Sequence, residues 1–390
     1  MDLLQVPFRD DFVFIPEWMV VTLYLAFAIS FVAFVYGIYI RSRPVGFRDL
    51  VNVYLHNVWD NVKFTVNQWL LQRRLMMKRY PGSMHWGIFF GALILLIGTV
   101  LVFVNQDFLK PLGIQIMRGD FYVGFKVVLD AFGLVFLAGI FLALWRRVVL
   151  KPKYLENRRW DYTIVAGLFY MGLTGFILEG LRLSLKPVPW GMWSFVGIRF
   201  ASLFSAINMS TDFGIPLYQS LWLSHAAVAL TLAISLPHST LFHIILSSAN
   251  VLKTRIKPIG RIDMPFNLVE MTKTGNFDVK VGFNTVQELT WDRRLMLTAC
   301  TDCGRCQAAC PATAAGRALN PRLVIQHLGA QTKEAVGGWS KDVFEGRITA
   351  EEVWGCTTCG ACVQQCPILI RKPDFLIDLR RYLIANGKAD

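Results

Sequence analysis

The sequence predicts an all-α membrane protein: a five-helix transmembrane bundle over residues 1–250, a connecting stretch over 251–295, and a small, mainly helical domain over 296–390. Three observations predict it. The 390 residues are 54% hydrophobic and only 17% charged, with a mean hydropathy of +0.43, and a soluble domain carries substantially more charge. Five apolar stretches are long enough to cross a hydrocarbon core of roughly 30 Å as helices. All eight cysteines lie in the last quarter of the chain, in two groups of four.

The apolar stretches run over Pro16–Ile40, His85–Val104, Phe121–Trp145, Tyr162–Leu183 and Pro216–Ser247. The first follows Asp10, Asp11 and Glu17 instead of a basic segment, and it is too long for the apolar core of a signal peptide. The connection Arg41–Met84 holds Arg41, Arg43, Arg48, Lys63, Arg73, Arg74, Lys78 and Arg79. The connection after the third span holds Arg146, Arg147, Lys151, Lys153, Arg158 and Arg159, and Lys253, Arg255, Lys257 and Arg261 follow the fifth. The alternate loops carry only Lys110 and Arg118, and Lys186 and Arg199. Basic residues collect on the cytoplasmic side of a membrane, so the N-terminus is expected outside and the C-terminus in the cytoplasm. The same distribution accounts for the net charge of +13 without any nucleic-acid partner. Leu50–Met77 mixes apolar and polar residues and ends in basic ones, as an interfacial helix does. Residues 251–295 read as a linker on the cytoplasmic face, with one short hairpin over Asp278–Phe283.

Cys300-Thr-Asp-Cys303-Gly-Arg-Cys306-Gln-Ala-Ala-Cys310-Pro311 and Cys356-Thr-Thr-Cys359-Gly-Ala-Cys362-Val-Gln-Gln-Cys366-Pro367 share one spacing. Nothing is spread along the chain for disulfides to staple, and close clusters of four thiolates read as metal ligands in a reducing compartment. A pair of zinc sites would need only C-x2-C pairs. The spacing here is that of two-cluster ferredoxins, in which a tight loop presents three sulfurs to one [4Fe–4S] cubane and the fourth Cys reaches the neighbouring one. The expected ligands are therefore Cys300, Cys303, Cys306 and Cys366 for one cluster, and Cys356, Cys359, Cys362 and Cys310 for the other. Gly304 and Gly360 permit the tight path around the metal.

Six histidines are present. A haem inside a bundle takes axial ligands from facing helices. His85 opens the second span and His243 closes the fifth, both on the cytoplasmic side, so antiparallel helices bring them level for a bis-His b haem. In a continuous helix His225, eighteen residues before His243, shares its face and lies roughly 27 Å nearer the outside. His238, after the bend expected at Pro237, points elsewhere, and His56 and His327 read as interface or surface residues.

Met84-His85-Trp86-Gly87-Ile88-Phe89-Phe90, Ser224-His225 and Pro237-His238-Ser239-Thr240-Leu241-Phe242-His243 resemble the gamma-subunit cytochrome b of respiratory nitrate reductases. The resemblance implies five helices in a prokaryotic cytoplasmic membrane, with His85 and His243 as one haem pair. It also implies a second, outer haem with His225 as a ligand, although the position ten residues after His85 is Leu95. The part from Cys300-Thr-Asp-Cys303-Gly-Arg-Cys306 to Leu319-Asn320-Pro321-Arg322 looks like the iron–sulfur module of heterodisulfide-reductase-related proteins. Together the two parts resemble the fused cytochrome b/iron–sulfur proteins of membrane heterodisulfide reductases and electron-transferring-flavoprotein:quinone oxidoreductases. That resemblance implies a quinone, menaquinone or ubiquinone, as redox partner. Relatives carry cysteine-rich CCG repeats; with no cysteine to spare for them, the chain is expected to work with a soluble cytoplasmic subunit of CCG-domain or flavoprotein type.

Lys126 and Asp130 lie four apart at the outer end of the third span, and Glu179 and Arg182 three apart at the outer end of the fourth, near the depth of His225. Two intrahelical ion pairs are one reading. Ionisable groups gathered at one membrane depth also mark proton and substrate sites, and the five together suggest a cavity for a quinone headgroup. The reading is a quinone-linked electron-transfer subunit with one or two b haems and two clusters. A membrane anchor with a structural haem, a redox sensor and an ion-translocating subunit are the alternatives. A sensor would be expected to carry an output domain, and a pump charges along the whole membrane depth.

Overall fold

The computed structural model describes residues 6–57, 59, 62–254, 261–262, 264, 266–275, 280–338 and 341–388. Two compact units divide the chain: Met1–Val35, Lys78–Lys151 and Asn157–Leu236 form the first, and Tyr36–Met77, Pro152–Glu156 and Pro237–Asp390 the second. Helices make both, and the one β-bridge among the described residues joins Phe8 to Arg118.

The first unit is built from α1 (Glu17–Ser42, up to Val35), α2 (Arg79–Val104), α3 (Gly119–Trp145), α4 (Arg159–Leu185), the short α5 (Gly197–Ala206) and α6 (Thr211–Ser235). All but α5 are long and apolar enough to cross a membrane; at about 1.5 Å per residue each reaches nearly 40 Å. The chain is thus a membrane protein with the five spans its hydropathy predicts. Helix α2 lies against α3 along a glycine seam. A Cβ on Gly91 would meet Phe136 Cβ at 2.5 Å, and one on Gly139 would meet the Ile88 nitrogen at 2.7 Å. Van der Waals contact at small residues is what draws helices together where no water is available to expel. Side chains cap the ends: Asp161 accepts from the Arg158 backbone N–H at 3.3 Å and from Arg147 at 3.2 Å, and Ser210 Oγ accepts from the Phe213 N–H.

The fifth span ends twelve residues earlier than its hydropathy suggests. Helix α6 stops at Ser235; Leu236–His238 and Thr240–Phe242 form separate 3-10 turns, and α7 (His243–Lys253) begins anew. Pro237 supplies no N–H to continue the ladder, and Ser239, in an extended conformation, turns its Oγ to the Leu241 N–H at 3.2 Å. His225 and His243 therefore do not share one helix, and the five-turn count that placed them on a common face does not apply.

In the second unit α7, α8 (Trp291–Thr298), α9 (Pro321–Glu334) and α10 (Lys372–Ala385) enclose a core containing Leu295, Ile325, Leu328, Ile370 and Leu379, each fully buried. Phe283, Val286 and Leu289, in the stretch read as linker, belong to this core. Residues 278 and 279 of the expected hairpin lie outside the described residues, and Lys280–Phe283 form no strand. The segment expected as one interfacial helix is instead a series of short pieces, Phe47–Asn52, Val62–Thr65 and Arg73–Met76 with helical turns between. It breaks at Gln72, buried in the left-handed conformation at φ 51°. The Tyr54 hydroxyl donates to the Ile245 carbonyl of α7 and bonds the Ser248 hydroxyl, and burial pushes its pKa up to about 12.

Candidate functional site

The two cysteine loops repeat one backbone. Asp302 and Thr358, each two residues after the first Cys, have φ of 54° and 56°, and Gly304 and Gly360, each four after it, have φ of 73° and 75°. This path turns amides toward sulfur: the Thr358 N–H meets Cys356 Sγ at 3.4 Å and the Asp302 N–H bonds Cys300. Gly304 has a second reason to be glycine, because a Cβ there would strike the Tyr154 carbonyl. Buried Arg305 donates to the carbonyls of Arg74 and Leu75, at 3.3 and 3.0 Å, and Arg74 returns a bond to the Val363 carbonyl at 3.1 Å. The segment before α2 is thereby tied to both cysteine loops.

A cavity in the second unit is lined by Cys300, Cys303 and Cys306 of the first motif together with Cys366 of the second. The thiols surrounding Cys362 are Cys356, Cys310 and Cys359. Two sets of four thiols result, and they adjoin where Cys306 lies near Cys362. Among the described residues no three His, Cys, Asp or Glu side chains converge on a position for a single metal ion. Eight thiols in two sets of four are the donor set that two cubanes need. Burial pushes Cys300 up to about 12 and Cys306 and Cys362 up to about 11, so metal must displace protons to bind. Lys372, 2% exposed, lines the same cavity. Burial works to lower its pKa, but the thiols of Cys366, Cys306 and Cys300 outweigh that and hold it above its ordinary value.

Helix α7 is bonded to backbone beside the first set at two points. Ser247 Oγ donates to the carbonyl of Ala299, next to Cys300, at 2.9 Å, and Asn250 Nδ2 to that of Ile368, two residues after Cys366, at 2.6 Å. His243 opens this helix. Its Nδ1 lies 2.6 Å from the Thr240 carbonyl; a carbonyl can only accept, so Nδ1 carries the proton and Nε2 holds the lone pair an iron ligand needs. His85, on α2 in the first unit, stacks on Phe89 with 6.5 Å between ring centroids. His238 sits against Gly37, whose added Cβ would lie 3.0 Å from Nε2.

In the first unit, of the two pairs that sequence spacing places within helices, Glu179–Arg182 forms within α4, whereas Lys126 and Asp130 find partners on other elements. Lys126 Nζ of α3 lies 2.6 Å from Glu179 Oε1 of α4, which also accepts from Arg182 at 2.8 Å and Ser194 at 3.0 Å. Asp130 instead accepts from the Val196 N–H at 2.8 Å and holds the start of α5. His225 Nδ1 lies 2.7 Å from Thr174 Oγ1, five residues before Glu179 on α4 and therefore about 7.5 Å back along its axis. Thr174 gives its hydroxyl proton to the Tyr170 carbonyl at 2.7 Å, so it accepts from His225, whose Nε2 is then the lone-pair nitrogen.

A bundle of apolar spans joined to a two-set cysteine domain defines a class, the membrane-associated iron–sulfur electron-transfer proteins. Residues 296–370 match the 4Fe-4S dicluster domain. Over 351 residues the chain is 27% identical to EtfAB:quinone oxidoreductase of Syntrophomonas wolfei, covering 80% of this chain and 47% of that one. It is 26% identical over 377 residues, 86% and 51% of the two chains, to the probable iron-sulfur-binding oxidoreductase FadF of Bacillus subtilis. Over 126 residues, 31% and 46% of the two chains, it is 29% identical to one component of the dihydromethanophenazine:CoB–CoM heterodisulfide reductase of Methanosarcina acetivorans. The chain spans about half the length of the curated relatives it matches. No solved structure matches it. The resemblance to quinone oxidoreductases and heterodisulfide reductases is borne out, and the dicluster domain supports two [4Fe–4S] clusters.

Proposed function

We propose that the chain passes electrons between a membrane quinone and a soluble cytoplasmic partner, through b haem and the two clusters. The clusters supply one-electron carriers. The chain's own residues would hold them as Cys300, Cys303, Cys306 and Cys366, and as Cys356, Cys359, Cys362 and Cys310. The observation that carries the reading is the cavity joining three thiols of one motif to the fourth of the other, the arrangement of a two-cluster carrier. His85 and His243 are proposed as the ligands of a haem on the cytoplasmic side. The proton on His243 Nδ1 supports this, and α7, which His243 opens, is bonded beside the first thiol set.

Quinone is assigned to the outer group of Lys126, Asp130, Glu179 and Arg182, with Lys126 as donor to a quinone oxygen. His225, its lone pair on Nε2, is suited to accept a proton or bind a second haem rather than to donate. Glu179 is saturated by Lys126, Arg182 and Ser194, an arrangement that equally suits a brace between helices. Adding a reduced short-chain quinol to the oxidised, purified protein tests the function. Reduction of both the haem absorption band and the cluster paramagnetic resonance signal is expected, and a spectrum that quinol leaves unchanged would overturn it.

A further inference from the structure

We infer that Lys372 is a charge-compensating residue for the cluster held by Cys300, Cys303, Cys306 and Cys366, and that it raises the reduction potential of that cluster relative to its neighbour. This rests on the ligand assignment proposed above.

The three cations lining the cavity differ in what they face. Arg322 pairs with Asp302 at 3.0 Å, and Arg305 spends donors on the carbonyls of Arg74 and Leu75. Lys372 is the most buried of the three at 2% exposure, and among the described residues it forms no ion pair with a carboxylate. A lone ammonium removed from water is strongly disfavoured unless negative charge stands beside it. The groups beside it are the thiols of Cys366, Cys306, Cys300 and Cys362, which carry negative charge once they ligate a cluster. Lys372 is held in place by the start of α10, where Pro373 fixes the first turn. Of the other thiol set Lys372 faces Cys362 alone, and the guanidinium beside Cys356 there, Arg380, is bonded to the carbonyls of Val353, Trp354 and Cys356.

Four thiolates give a cubane an excess of negative charge, and taking up one electron adds to it. A fixed positive charge at contact range attracts the reduced form more than the oxidised one. Reduction is thereby favoured by at least about tenfold in the equilibrium constant, even with substantial dielectric screening. With three thiols of the first set beside it and one of the second, Lys372 favours reduction of the cluster beside α7 more than that of its neighbour.

The test uses the full chain in detergent, with iron content and a redox titration followed by paramagnetic resonance for wild type, Lys372→Gln, Lys372→Met and Lys372→Arg. In the neutral variants the midpoint of the Cys300-group cluster should fall by at least the equivalent of a tenfold change, with a smaller shift in the other cluster, and Lys372→Arg should stay near wild type. A neutral variant with full iron and an unmoved midpoint overturns the inference. If the neutral variants lose the cluster and Lys372→Arg retains it, the charge requirement stands. If Lys372→Arg loses it as well, the residue acts by packing and the inference fails. Wild-type protein lacking two clusters would instead sink the ligand assignment, a separate result.

Discussion

Thr358 shows how much local cost the cysteine loops accept. A β-branched residue at positive φ is disfavoured by roughly 1–3 kcal/mol, yet it stands where Asp302 stands in the first loop, and both aim an amide at sulfur. The spacing of cysteines and glycines makes Gly304 and Gly360 legible as turn residues. It could not reveal Asp302 and Thr358, because left-handed geometry at a non-glycine leaves no mark in composition. Nor did it single out Lys372, which is one lysine among many until α10 buries it. The division of ligands between the clusters can be read at a single residue. Cys310→Ser should disturb the signal of the cluster built on Cys356, Cys359 and Cys362 and lower iron content by up to about four atoms per chain. A paramagnetic resonance change confined to the Cys300 group would refute the crossed arrangement.

Among elements, the α2–α3 contact is the one most exposed to a test. Gly91 and Gly139 admit no side chain without moving the facing helix, whereas a Cβ on Gly124 of α3 meets nothing within 4 Å. Gly91→Leu and Gly139→Leu are expected to destabilise the bundle by about 1–3 kcal/mol, the cost of overpacking a close contact, and Gly124→Leu to be silent. Thermal melting in detergent reads the difference, and equal melting of all three would show that the seam does not hold α2. Because His85, the proposed haem ligand, lies on α2 two residues from Gly87, loosening the seam should also broaden the absorption band of the proposed haem. The other unexpected element is α7. Hydropathy runs on through Leu241–Ile245 and merges it with the span before it, because a window of apolar residues does not distinguish burial in lipid from burial in protein. Leu246, Ala249, Val251 and Leu252 of α7 are buried inside the second unit.

For the whole molecule, the proposed electron route makes two sites separable. His85→Ala and His243→Ala should each abolish the low-spin haem spectrum while the clusters remain; retention of a normal spectrum in both would refute the pairing. Lys126→Met and Glu179→Gln should slow quinol oxidation severalfold with haem and clusters intact. Normal kinetics in both would leave Lys126, Glu179 and Arg182 as a brace between α3 and α4. The sequence by itself determined the number of spans, the two cysteine sets and the type of cofactor they hold, because these depend on short-range properties: apolar length, and thiols a few residues apart. Only the tertiary structure decided that Lys126 bonds Glu179 across two helices, that α7 joins the iron–sulfur domain after the break at Pro237, and that Lys372 stands beside Cys300, Cys303 and Cys306, each more than sixty residues away. Each of these is a contact between residues distant along the chain. Its formation is decided by the packing of whole helices and by the high cost of a buried charge without a partner, and neither is written in local spacing.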